Sequence, residues 1–90
     1  MAWLIEFDET AKKELARLDR EAQVRIWRFL RERVLSSIDP RKLGFPLRSN
    51  LSGLWKYRVG YYRIVVEIRD AEVLVLVVRI GHRSKIYDGH

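Results

Sequence analysis

Apolar residues return every three to four positions between Asp8 and Val34, then every second position between Trp55 and Ile80, and a stretch bearing Pro40, Gly44, Pro46 and Gly53 separates the two regimes. The first spacing belongs to one face of a helix and the second to one face of a strand, so the chain must lay helices against an antiparallel sheet. Ninety residues are enough for one such two-layer core, and residues 1–90 read as a single domain.

Local signals refine this α+β reading. Residues 3–7 form a short apolar, partly β-branched run that predicts a first strand ending at Asp8, a good helix N-cap. Ala11, Leu15, Leu18 and Ala22 then follow at helical spacing, with Glu9 and Glu14 early and Arg17 and Arg20 late, as the helix dipole prefers. Asp19 caps a second helix whose stripe is Ala22, Ile26, Phe29 and Leu30, widened by Trp27 and Val34, until Ser36-Ser37 and Asp39-Pro40 stop it. The pair forms a hairpin with one apolar face. Trp27 is expected in the core, with a partner contact on the outer hairpin face as its alternative, and Arg25, Arg28, Arg31, Glu32 and Arg33 read as a solvated face. Residues 40–53 read as a basic loop. Trp55–Val59, Tyr62–Arg69 and Val73–Ile80 are then three strands of an antiparallel meander, turning at Gly60-Tyr61 and Asp70-Ala71, with the helices on one sheet face.

Charge adds a functional constraint. The net charge of +6 lies wholly in the second half: residues 1–40 balance eight Lys/Arg against eight Asp/Glu, whereas residues 41–90 hold ten against four. No acid occurs between Asp39 and Glu67, while Arg41, Lys42, Arg48, Lys56, Arg58 and Arg63 all do. With Trp55, Tyr57, Tyr61 and Tyr62 interleaved, this is the pattern of a surface that meets a polyanion, nucleic acid first. The absence of cysteine removes disulfides and thiolate chemistry and suits a reducing compartment. Two histidines, one of them terminal, argue against a His-rich metal site. The longest apolar run, Val73–Val78, is far short of the ~20 residues that span a bilayer, and Glu6 and Asp8 interrupt any signal peptide. The expectation is a soluble cytosolic protein with no membrane association and no cofactor.

If Gly60-Tyr61 is a two-residue hairpin loop, Val59 pairs with Tyr62 and Arg58 lies opposite Arg63, with Lys56 on the same face. Opposed like charges destabilise a strand pair, so three clustered cations suit a bound anion; the alternative is long stems covering an apolar face with their heads in water. The segment after the last strand adds His82, Arg83, Lys85 and Tyr87, for which a surface histidine and a packing tyrosine are the ordinary readings. Arg79 joins the patch if the second turn has three residues and leaves it if the turn has two.

The strings Leu51-Ser52-Gly53-Leu54-Trp55-Lys56-Tyr57-Arg58-Val59-Gly60-Tyr61-Tyr62-Arg63-Ile64-Val65 and Val78-Arg79-Ile80-Gly81-His82-Arg83-Ser84-Lys85-Ile86-Tyr87 resemble the RelE branch of the RelE/ParE toxin superfamily of toxin–antitoxin systems, and the order of elements resembles it over nearly the whole chain. The resemblance implies a compact microbial-ribonuclease-like sheet, cleavage of messenger RNA in the ribosomal A site, and a cognate antitoxin partner. It implicates Lys56, Arg58, Arg63, Arg83 and Tyr87 as catalytic, with His82 able to take an acid or base role; Arg41, Lys42, Arg48, Arg79 and Lys85 are the remaining RNA-binding candidates. Where the best-known RelE member has a second lysine this chain has Arg58, which hardly deprotonates.

The chemistry is consistent with that set. Metal-free RNA cleavage uses the neighbouring 2′-OH as nucleophile, stabilises charge on a phosphorane and protonates the leaving 5′-oxygen. Arg63 and Arg83 are the candidate phosphate clamps. Lys56 is a candidate base, and Tyr87 a candidate for stacking or proton donation. Two other functions stay open: a ParE-like, non-enzymatic inhibitor of DNA gyrase, and an inactive relative that binds only RNA or antitoxin.

Overall fold

The computed structural model describes residues 3–84, in the order β1 (Leu4–Phe7), α1 (Glu9–Ala16), α2 (Arg20–Phe29), β2 (Phe45–Pro46), β3 (Leu54–Val59), β4 (Tyr62–Arg69) and β5 (Leu74–His82). Both helices begin where the sequence places their caps. Asp8 Oδ1 accepts the Ala11 N–H at 2.9 Å and Asp19 Oδ1 accepts the Ala22 N–H at 2.8 Å, each satisfying a donor that has no partner inside its helix. Beyond Phe29 the second helix continues through a wider turn, Leu30–Val34, in which the Leu35 N–H reaches back five residues to the Leu30 carbonyl at 3.0 Å. The Ser36 and Ser37 hydroxyls then donate to the carbonyls of Glu32 and Val34, both at 2.8 Å, which ends it.

The five strands form one sheet in the order β1-β5-β4-β3-β2. β1 runs parallel to β5, and the remaining pairs are antiparallel. One side of the sheet is dry. Ile26, Leu30 and Val34 of the helical hairpin pack there on Tyr57, Ile64, Val66, Val75, Val77 and Ile80. Trp55, Tyr57 and Tyr62 alternate onto this side, so of the four aromatics interleaved with the cations only Tyr61 is exposed.

Three expectations are corrected. Trp27 is 45% exposed, because Ala22, Ile26 and Leu30 fill the inward stripe and Trp27 lies one position round the helix; its ring rests on Phe7 at 5.3 Å. The basic loop contains β2, which pairs Phe45 with Lys56 and Pro46 with Trp55, as well as a short helical turn at Pro40–Leu43. The turn between β4 and β5 takes four residues, neither the two nor the three weighed from the sequence, and it leaves Val73 at φ 51°, a conformation that a β-branched residue adopts only under strain.

A bulge completes the sheet. Val66 pairs with Val77 but Val65 pairs with Arg79, so β5 carries one extra residue, Val78. An even-numbered turn alone would send Arg79 to the helix side. The extra residue reverses the alternation and brings Arg79 onto the face of Arg63.

Candidate nucleic-acid interface

The sheet face turned away from the helices carries the charge. Gly60 sits at φ 60° as the first central residue of a two-residue hairpin loop, where a positive φ suits a type II′ turn. That loop sets the register read from the sequence: Val59 pairs with Tyr62 and Arg58 lies opposite Arg63. Lys56, two residues back, shares their face. With Phe45 of the adjoining edge strand these three cations line an open depression of about 370 Å³. A second apolar cluster, Leu47 and Val65 with Leu51, Leu54 and Val78, occupies the same face of the sheet beneath the 47–51 segment.

Arg63 is 7% exposed, the one buried charged residue among the described residues. Burying a charge is costly unless hydrogen bonds compensate it; Arg63 Nη1 donates to the carbonyls of Gly60 at 3.1 Å and Tyr62 at 3.0 Å. The guanidinium is thereby tied to the hairpin turn. Arg83 reaches the same turn from β5: its N–H donates to the Tyr61 carbonyl at 2.7 Å and its guanidinium carbon lies 5.1 Å from the Tyr61 ring centre. One hairpin tip therefore positions both candidate phosphate clamps.

The other candidates scatter. His82 pairs with Tyr62 and so falls on the opposite parity from Lys56, Arg58 and Arg63. It stacks loosely on Tyr61 at 6.2 Å and meets Tyr62 edge-on at 5.9 Å. Its Nδ1 accepts the Ser84 N–H at 3.2 Å and lies 2.9 Å from the Ser84 hydroxyl. Arg79, although on the patch face, is paired with Glu14 at 3.0 Å. That carboxylate also accepts the Ile80 N–H at 2.7 Å, a strand-edge donor beyond the end of β1. Arg41 is bound by Asp70 and Asp39. The hydrogen bond to Asp70 raises the guanidinium pKa, and the same contact holds the Asp70 carboxyl below the usual carboxylate range. Lys42 and Arg48 are exposed on the segment between α2 and β3, outside the depression. Lys85 and Tyr87 lie outside the described residues.

Phe45 is the residue that sequence reasoning missed. It is the sole aromatic between positions 40 and 53, a detectable signal, but a two-residue strand has no alternation from which to read its face. Among the described residues no three His, Asp or Glu side chains converge to hold a metal, and no helix is long and apolar enough to cross a membrane.

A helical hairpin on one side of a five-stranded sheet, with arginine and lysine gathered on the other, defines a small α+β protein that presents a basic sheet face. The family model for the ParE toxin of the type II toxin–antitoxin system parDE matches residues 5–87, and the chain belongs to this family. It is 31% identical over 87 residues to the toxin RelG of Mycobacterium tuberculosis, spanning 97% of this chain and 98% of that one. It is 36% identical over 78 residues to the toxin RelE of the same organism, spanning 87% of this chain and 78% of the relative. The crystal structure of the toxin–antitoxin complex RelBE2 from M. tuberculosis holds a chain that superposes with a TM-score of 0.84 at 28% identity, over 92% of this chain and 100% of that chain. The RelE-type architecture read from the sequence is therefore the one adopted.

Proposed function

We propose that this chain is a ribosome-dependent endoribonuclease toxin that cuts messenger RNA in the A site by attack of the 2′-OH on the adjacent phosphate. The observation that carries the reading is the convergence of Lys56, Arg58 and Arg63 on one depression, with Arg83 anchored at the same hairpin tip. Arg63, held by two carbonyls, presents a fixed fork to a phosphate oxygen and loses little freedom when it binds. Arg58 and Arg83 add positive charge where the phosphorane forms, and this stabilises the transition state more than the ground state. Lys56 removes the 2′-OH proton. Protonation of the leaving 5′-oxygen falls to Tyr87 or to His82; His82 serves only if the RNA crosses the hairpin tip, since its ring lies off the depression.

In a translation extract the protein should cut message only when ribosomes are present. Removing single preorganised donors of this kind costs about 10²–10³ in rate, so Arg63→Ala combined with Arg83→Ala should abolish detectable cutting. Intact message in the presence of wild-type protein refutes the proposal. The matched family is named for ParE, and a second reading is a ParE-like, non-enzymatic inhibitor of DNA gyrase; blocked supercoiling without RNA cleavage would establish that one. We also propose an antitoxin partner and a cytoplasmic site of action. The partner is supported by the RelBE2 complex and by the basic surface of α2, where exposed Val24 and Trp27 lie among Arg20, Arg28 and Arg31. That surface suits an acidic amphipathic segment that folds on binding.

A further inference from the structure

We infer that Phe45 is a base-stacking residue, so that the depression on the open sheet face accepts a nucleotide with its base rather than a bare phosphate. The inference deepens the proposed function and rests on it for the choice of RNA as ligand. Phe45 is 53% exposed and lines the same depression as Lys56, Arg58 and Arg63. A phenyl ring has no polar atom to solvate, and an edge strand that needs only to avoid pairing is better served by a charge or a proline; this strand already has Pro46. The backbone that carries the ring is also held in place. Phe45 pairs with Lys56, and the preceding Gly44 approaches that strand so closely that a Cβ there would lie 2.5 Å from the Lys56 carbonyl oxygen. A flat apolar wall beside clustered cations is how single-stranded nucleic acid is gripped: the cations hold the backbone and the ring stacks a base, whose π-face makes the contact tolerant of sequence.

The test compares wild type, Phe45→Ala and Phe45→Trp for quenching of a single-stranded RNA carrying 2-aminopurine, with inorganic phosphate as competitor and the thermal midpoint as a check on folding. Loss of one stacked base weakens binding about 10- to 100-fold. With affinities read from the fluorescence polarisation of the same RNA carrying a terminal dye, Phe45→Ala should show that loss and also abolish the 2-aminopurine quenching, Phe45→Trp should retain both, and the inhibition constant for phosphate should stay the same for all three. Binding by Phe45→Ala within twofold of wild type overturns the assignment. So does an equal weakening toward phosphate, because Phe45 would then act by holding the cations in place. Cleavage is not part of this measurement, so wild-type protein that quenches the RNA but leaves ribosome-bound message intact sinks the endoribonuclease reading and leaves the stacking assignment standing.

Discussion

Arg58 and Arg63 face each other across the β3–β4 ladder, and replacing Arg58 with Met isolates the consequence. Methionine keeps an unbranched apolar stem over the sheet and removes only the charge, so packing changes little. Directly opposed like charges destabilise a strand pair by about 0.2–1 kcal/mol. Arg63 is almost wholly buried while Arg58 is exposed, so screening by water is one-sided and the upper half of that range is expected at low salt. For a domain of this size a urea dependence near 1 kcal/mol per M converts this into a midpoint raised by roughly 0.5–1 M. The screening length falls from about 30 Å at 0.01 M salt to about 3 Å at 1 M. The gain should therefore shrink below about 0.3 kcal/mol as salt rises, chiefly because wild type becomes more stable. Urea denaturation of both proteins across that salt series, followed by cleavage of ribosome-bound message, tests the idea. Arg58→Met should be the more stable protein and the poorer nuclease, by at least about tenfold. A variant no more stable than wild type, or a difference indifferent to salt, refutes the claim that the sheet tolerates repulsion for the sake of an anion. Greater stability with unchanged cutting would remove Arg58 from the site.

Other parts of the structure yield separate expectations. Glu14→Gln should destabilise the fold by about 1–3 kcal/mol in urea denaturation, because it weakens a charge-assisted bond to the Ile80 N–H and leaves Arg79 without its counter-charge; if stability is unchanged, that carboxylate does not seal the edge of β5. Gly44→Ala should cost about 1–3 kcal/mol and also slow cleavage, since the new methyl meets the Lys56 carbonyl at 2.5 Å and the buried Tyr57 ring at 2.8 Å; a soluble variant with wild-type melting and activity contradicts the packing described. The Tyr57 hydroxyl donates to the Pro40 carbonyl at 2.9 Å, so Tyr57→Phe should lower stability by about 1–3 kcal/mol. Burial raises the Tyr57 pKa above its ordinary value near 10. Its contribution is complete below about pH 10 and declines as pH climbs toward the raised folded value, because the unfolded chain ionises first. Alkaline titration of unfolding should show that decline in wild type and a shallower one in Tyr57→Phe.

Short-range physics explains what could be read without coordinates. Asp8 and Asp19 cap helices because an N-cap acts on donors two or three residues away, and the Arg58–Arg63 pairing follows from a two-residue loop whose first residue is glycine. The family was readable for a related reason: its cations lie within a contiguous hairpin and the segment directly after the last strand. Long-range facts were beyond reach. The acid-free window suggested uncompensated charge from Arg41 onward, yet Asp70 reaches Arg41 from the β4–β5 turn and Glu14 reaches Arg79 from the first helix, because folding brings carboxylates from distant positions. The face of Arg79 was settled by one extra residue in β5, since inserting a residue inverts a period of two. Trp27 and Phe45 depended on which surfaces were already filled. Hydrophobic period, caps and turn residues thus determined the elements and the cation-bearing hairpin, whereas pairing across the sheet decided which cations share the depression, which are neutralised elsewhere, and which aromatic stands beside them.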